Sequence, residues 1–207
     1  MYSGGNNMLK LDNKGFSLIE LLAAMVILII LFSSIMVSTG AIIRNSNKNA
    51  FIINAKAYAS SLRENSYQDN LSIDEEDSIF FIDPKYLEMD STNYESPFGE
   101  YVVNYLVVTY DGNKFHYFYV AYDDEGWGVR LGKELTNLKK SDVEFLDDDF
   151  NEEIFEYKKF NSSNKNCSKL KSYLINVNNS SDPFSDKTKA VFIDKKGNFT
   201  TIDLSVC

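Results

Sequence analysis

Cysteine, histidine, tryptophan and proline are all scarce in this chain, with two, one, one and three copies in 207 residues. Each scarcity excludes something. Cys167 and Cys207 are too few for a four-ligand zinc site and too far apart for a CxxC redox pair, which leaves one disulfide or two thiols. His116, set among aromatic residues, has no serine or cysteine beside it to serve as a nucleophile, and reads as a packed or surface residue. No phosphate-cradling glycine loop, nucleophile elbow or HExxH stretch occurs. Neither an enzymatic activity nor a bound cofactor is expected. Proline falls only at 84, 97 and 183, so no proline interrupts a helix anywhere in the N-terminal third.

Positive charge is also in short supply. Lys and Arg total 21 against 30 Asp and Glu, a net charge of -9 that repels phosphate backbones, so nucleic acid is not a default partner. What is plentiful is apolar and aromatic material, 44% and 14% of the chain, with 25% charged residues. That balance belongs to a folded chain, and the length suits one globular head plus one long extra element.

Residues 21–43 carry no charge, and 18 of these 23 are apolar, beginning with the unbroken run from Leu21 to Phe32. At a rise of about 1.5 Å per residue such a helix covers roughly 35 Å, slightly more than a hydrocarbon core of about 30 Å, so a membrane span over about 21–43 is expected. Lys10 and Lys14 precede the run and Arg44 follows it, a weak bias toward a cytoplasmic N-terminus. A secretory signal cut late, near Gly40 or Ala41, is the competing reading.

Glu20 abuts the apolar run, where an ionised carboxylate is costly unless paired. It closes the stretch Lys14-Gly15-Phe16-Ser17-Leu18-Ile19-Glu20-Leu21-Leu22, which resembles the processing motif of type IV prepilins and pseudopilins. The resemblance implies a leader at 1–15, cut between Gly15 and Phe16 by a membrane-embedded prepilin peptidase that then N-methylates Phe16. It implies that Glu20 neutralises the Phe16 ammonium of a neighbouring subunit, so that pairing offsets the burial of both charges and fixes register. It further implies an α+β fold: a helix over 16–65, transmembrane in its first half and amphipathic in its second, packed on an antiparallel sheet within a head at 66–207. The C-terminal variable region is expected at about 167–207, and in the family it is often closed by a single disulfide, here Cys167 to Cys207. The leader is longer than the shortest in the family and contains Asp12, and the helix lacks the family's frequent mid-helix proline, with Gly40 its one weak point.

Beyond the membrane, Phe51, Ala55, Tyr58, Ala59 and Leu62 recur on one helix face, a core stripe rather than a cofactor site. An acidic connection over 65–78 ends the helix. A short strand is expected at 78–82, stopped by Asp83-Pro84, with irregular chain over 86–97. Tyr101 to Tyr110 and Phe115 to Tyr122 flank Asp111-Gly112-Asn113 as a hairpin, and Trp127 to Leu131 adds a third strand. Residues 133–160 fit strand or short helix equally. A last hairpin spans 190–204 around Lys195-Lys196-Gly197-Asn198.

Asp123-Asp124-Glu125 and Asp147-Asp148-Asp149 offer oxygen ligands suited to calcium, but neither has EF-hand spacing, so no metal is assigned. The expected function is structural: a minor pilin, with the membrane, other pilin subunits and the pilus assembly platform as partners. The head would lie outside the cytoplasm before assembly and in an extracellular filament after it. A pseudopilin of a type II secretion or DNA-uptake machine shares the motif, as does a filament-tip adhesin, which exposure of Tyr101, Tyr105, Tyr117 and Tyr119 on one sheet face would favour. A plain membrane anchor that never polymerises is the third reading.

Overall fold

Nothing between Leu18 and Gln68 breaks a helix, and these 51 residues form one, α1, which runs through Gly40 without interruption. The computed structural model describes residues 17–68, 73–87, 94–146, 150–159, 165–177 and 183–207. The expected leader and the Asp147–Asp149 triplet lie outside the described residues. Among them, α1 is followed by β1 (Ser78–Ile82), β2 (Tyr101–Tyr110), β3 (Phe115–Asp123), β4 (Trp127–Val129), β5 (Glu144–Phe145), α2 (Lys165–Asn176), β6 (Lys189–Ile193) and β7 (Phe199–Asp203). The architecture is α+β, an N-terminal helix followed by a seven-stranded, mostly antiparallel sheet. The chain divides into two units, Met1–Arg44 and Asn45–Cys207.

In the second unit the sheet order is β5-β4-β3-β2-β1-β6-β7. Alternation along each strand sends side chains to two faces, and both are buried. On one face Phe80, Leu106, Tyr119 and Val191 meet the α1 stripe of Phe51, Ala55, Tyr58, Ala59 and Leu62. On the other, Phe81, Val107, Phe118 and Phe192 lie under Leu170 and Leu174 of α2, Ile154 and Phe155 of a 3-10 turn, and Phe184. A β-bulge between Tyr101 and Val103 moves Tyr101 out of the face of Val103 and Tyr105 and into the helix-side core.

Three differences from the expected meander have physical causes. β1 pairs antiparallel with β2 but parallel with β6, Phe81 facing Phe192, because the chain crosses the far face through α2 before it returns to the sheet. The third strand ends at Val129, and Leu131 then turns into the far-face core. The described residues of 133–160 include 3-10 turns at Leu135–Asn137, Lys140–Asp142, Glu152–Phe155 and Tyr157–Lys159 and the two-residue β5.

The hairpin turns are fixed by aspartates. In the β6–β7 turn Gly197 has φ +78°, and Asp194 accepts the N–H groups of Lys196 at 2.8 Å and Asn198 at 3.0 Å. A bond from the Asn198 side-chain amide, with these two backbone bonds beside it, holds the Asp194 carboxyl down at about 2. An aspartate depressed in the folded state contributes stability that is complete above its unfolded value of about 3.9 and is lost as pH falls. Asp194→Asn is therefore expected to flatten the pH dependence of denaturant midpoints between pH 4 and pH 2, with little change in that slope near neutrality.

Phe192 is fully buried and stacks between Phe81 at 4.6 Å and Tyr157 at 4.5 Å. Phe192→Ala should lower unfolding free energy by about 3–5 kcal/mol, as read from urea unfolding of the full chain in detergent.

Candidate functional site

The first unit is described from Ser17 onward, so Gly15 and Phe16, the expected cleavage and methylation residues, lie outside the described residues. Ser17 stands just ahead of α1. Its backbone N–H donates to Glu20 Oε2 at 2.8 Å, and the Glu20 N–H donates back to Ser17 Oγ at 3.3 Å. This reciprocal pair is a capping box, which satisfies two of the orphan donors at a helix start. The Ser-x-x-Glu spacing is its sequence signal, and the reading of Glu20 as an assembly residue alone does not use it.

From Leu18 to Phe32 every large apolar side chain is exposed, from 49% at Leu22 to 79% at Leu18, and these residues lie on all sides of the helix. The hydroxyl of Ser33 donates to the Ile29 carbonyl at 2.7 Å and so is satisfied within the helix. Among the described residues, no helix is long and apolar enough to cross a membrane. The expected span over 21–43 includes 34–38, whose side chains lie outside the described residues.

In the head, a disulfide joins Cys167, in the first turn of α2, to Cys207, with Cα atoms 5.6 Å apart. Cys167 is buried, and Ser168 Oγ donates to the Cys207 carbonyl at 3.1 Å, so the C-terminus is fastened along α2.

Of the acidic residues considered for calcium, Asp123 and Asp124 are engaged in turns. Asp123 is buried, accepts the Trp127 N–H at 2.8 Å and the Ser96 hydroxyl, and is pushed up by burial. Asp124 accepts the Glu100 N–H at 2.7 Å. Among the described residues, no group of three or more His, Cys, Asp or Glu side chains is arranged to hold a metal ion.

His116 is clamped between two carboxylates, Nε2 lying 2.9 Å from Asp111 and Nδ1 meeting Glu134. This contact and two backbone N–H groups in the turn hold the Asp111 carboxyl well below the usual range. The histidine ties the β2–β3 hairpin to the segment after β4, an attachment that its isolation in the sequence does not reveal. The four tyrosines do not share an open face. Tyr119 is buried and Tyr101 and Tyr117 pack on the helix-side core, whereas Tyr105 packs on the opposite face. The Arg63 guanidinium lies 4.6 Å over the Tyr117 ring.

Residues 10–36 match the family model of the prokaryotic N-terminal methylation motif. The chain carries the type IV prepilin-type cleavage and methylation motif. The match covers Gly15, Phe16, Ser17 and Glu20 and supports a type IV pilin-like precursor, with processing by a prepilin peptidase and assembly with other pilins in general. No curated protein and no solved structure matches the chain.

The disulfide closes a sequence separation of 40 residues, which on the chain-entropy model stabilises the fold by about 4 kcal/mol. Replacing both cysteines with serine should lower the urea midpoint and steepen the transition, because the unfolded chain, no longer looped, exposes more surface.

Proposed function

We propose that this chain is a minor pilin-like subunit, made with a leader at 1–15, anchored by α1 over about 21–43 and incorporated into an extracellular filament after cleavage. The observation that carries this reading is the methylation motif over 10–36, which runs into the start of a helix that is apolar on every side there and capped by its own glutamate. A helix apolar all round has to be buried in lipid or in protein, and the reading supplies both in turn. The head then stays outside the cytoplasm. No catalytic group, cofactor or metal is needed.

Glu20 supplies the specific chemistry. A carboxylate has two oxygens and several lone pairs. Oε2 is engaged by the Ser17 N–H, and that peptide lies on the mature side of the expected cut, so the cap survives processing. The other oxygen is available to the Phe16 ammonium of a neighbouring subunit. In an apolar filament core such a pair offsets the separate burial of two charges and sets the axial register. The burial of Tyr119 and the division of the tyrosines between two covered faces favour a structural head over an adhesive one.

Intact-mass and N-terminal analysis of the protein from sheared filaments or membranes of its native host tests the reading. A chain beginning at N-methylated Phe16 is expected. One that retains Met1 to Gly15, or is cut near Gly40, overturns it. Two substitutions at Glu20 separate capping from charge. Glutamine preserves a capping box but carries no charge, and alanine has neither. Both variants should be cleaved, and both should fall out of sheared filaments. If Glu20→Gln is incorporated like the natural chain, Glu20 serves only as a cap.

A further inference from the structure

The sheet of the head has one long open edge. β7 is its outermost strand and pairs only with β6, in a register that runs without a bulge from Lys189 opposite Asp203 to Ile193 opposite Phe199. Just past the strand the Leu204 N–H donates to the Thr188 carbonyl at 2.7 Å, and at the turn the Asp194 N–H donates to the Asn198 carbonyl at 3.1 Å. Bonded and unbonded pairs alternate along an antiparallel ladder, so Thr200 and Ile202 direct their backbone groups at β6, while Phe199, Thr201 and Asp203 point theirs away from it. Among the described residues, nothing bonds to the outward backbone groups of Phe199 and Thr201.

Natural edges are ordinarily shortened, bulged, or studded with lysine or proline, because an open row of donors and acceptors is a template for another strand. β7 has none of these guards. Its sequence, Phe199-Thr200-Thr201-Ile202-Asp203, is of ordinary strand length and built of strong strand formers up to its last residue. Phe199 is 55% exposed and Thr201 is exposed. The one charge on the strand is turned back on its own chain, where Asp203 Oδ1 accepts the Ser205 N–H at 2.8 Å.

We propose that this edge is completed by β7 of a second copy of the chain, laid antiparallel about a two-fold axis at Thr201. In that register Thr201 meets Thr201 of the second copy, Phe199 meets Asp203 and Thr200 meets Ile202, so every outward N–H and C=O gains a partner and no charge faces its like. Two molecules of net charge -9 repel, but the contact itself is balanced: the antiparallel run brings the exposed Lys195 and Lys196 of each turn beside the Asp203 end of the other strand. The opposite edge of the sheet is no substitute, since β5 has two residues, one of them Glu144. The pairing is therefore isologous and closes at two copies instead of running on into a continuous sheet. It goes beyond the filament reading and does not depend on it.

A strand of five residues buries much less than the roughly 1,600 Å² of a standard interface, so the pair is short-lived in dilute solution and is best trapped covalently. Residues opposed in a bonded antiparallel pair have Cα atoms about 5.5 Å apart, inside the range of about 4.4–6.8 Å that a disulfide spans. Thr201→Cys, introduced in the full chain and treated with a mild oxidant in detergent, should give a dimer whose link maps to position 201. Phe199→Cys lies on the same face of the same strand, but the proposed register holds its two copies about 14 Å apart, so its dimer should form on the order of tenfold more slowly. Adding Phe199→Pro to the Thr201→Cys chain removes an outward donor at the first position of the strand and leaves the bonds to β6 untouched. With the urea midpoint unchanged, that variant should be trapped no faster than Phe199→Cys. Equal rates for the two single-cysteine variants, no dimer from Thr201→Cys, or undiminished trapping in the folded proline variant each overturns the inference.

Discussion

A helix that is apolar on every side is an unfinished surface, and the rest of this molecule is arranged around that fact. Twelve large apolar side chains between Leu18 and Phe32 are 49–79% exposed. Leaving them in water forgoes on the order of 10 kcal/mol, even after allowing for what the helix itself covers. That is comparable to the whole stability of an ordinary domain. Helix propensity cannot offset such a deficit, so the segment needs a second medium. Its termini are compatible with one: the start is capped within the chain by Ser17 and Glu20, and the Ser33 hydroxyl is bonded to its own helix. The Ser33 hydroxyl makes no demand on water that a membrane or a filament core would refuse, whereas the second oxygen of Glu20 still needs a partner there.

The second half of the same helix is solved inside the chain. Its stripe from Phe51 to Leu62 is covered by one face of the sheet, while α2, a 3-10 turn and Phe184 close the other. A sheet buried on both faces consumes most of the aromatic residues as core, through contacts such as Phe81 on Phe192 and Tyr122 on Phe150. The head therefore has few large apolar groups to offer a ligand.

Much of this is readable in the chain. The β2–β3 and β6–β7 hairpins follow from alternation of β-branched and aromatic residues around Asp-Gly and Lys-Gly-Asn turns, which demand positive φ at Gly112 and Gly197. The α1 stripe follows from spacing alone. The parallel pairing of β1 with β6 does not, because two short apolar runs with more than a hundred residues between them carry no mark of each other. Helix α2 is obscured by its many polar residues, although Cys167, Leu170 and Leu174 lie at i, i+3 and i+7 and all three are buried. The Asp111–His116–Glu134 clamp is hidden for a different reason: it depends on a loop after β4 folding back across the sheet edge, a long-range event with no local pattern. At the N-terminus the acid was legible as a misplaced charge. Its capping role was equally present in the Ser-x-x-Glu spacing and is seen only once the helix start is located.

That double use of Glu20 limits what its charge contributes in the proposed subunit. A free monomer carrying a Phe16 ammonium already has a carboxylate close at hand, its own, held toward the helix start by the Ser17 N–H. Assembly would then exchange one ammonium for another at the same acid, and an exchange of similar partners yields little net affinity. The gain lies in position instead. The cap fixes where the acid points, so only one axial offset brings a neighbour's N-terminus within reach of the free oxygen, and every other offset leaves the acid with its own chain's ammonium alone and no bond between subunits. On this account dehydration of the apolar surface drives association, and the capped glutamate decides only which of the many ways of stacking apolar helices is allowed.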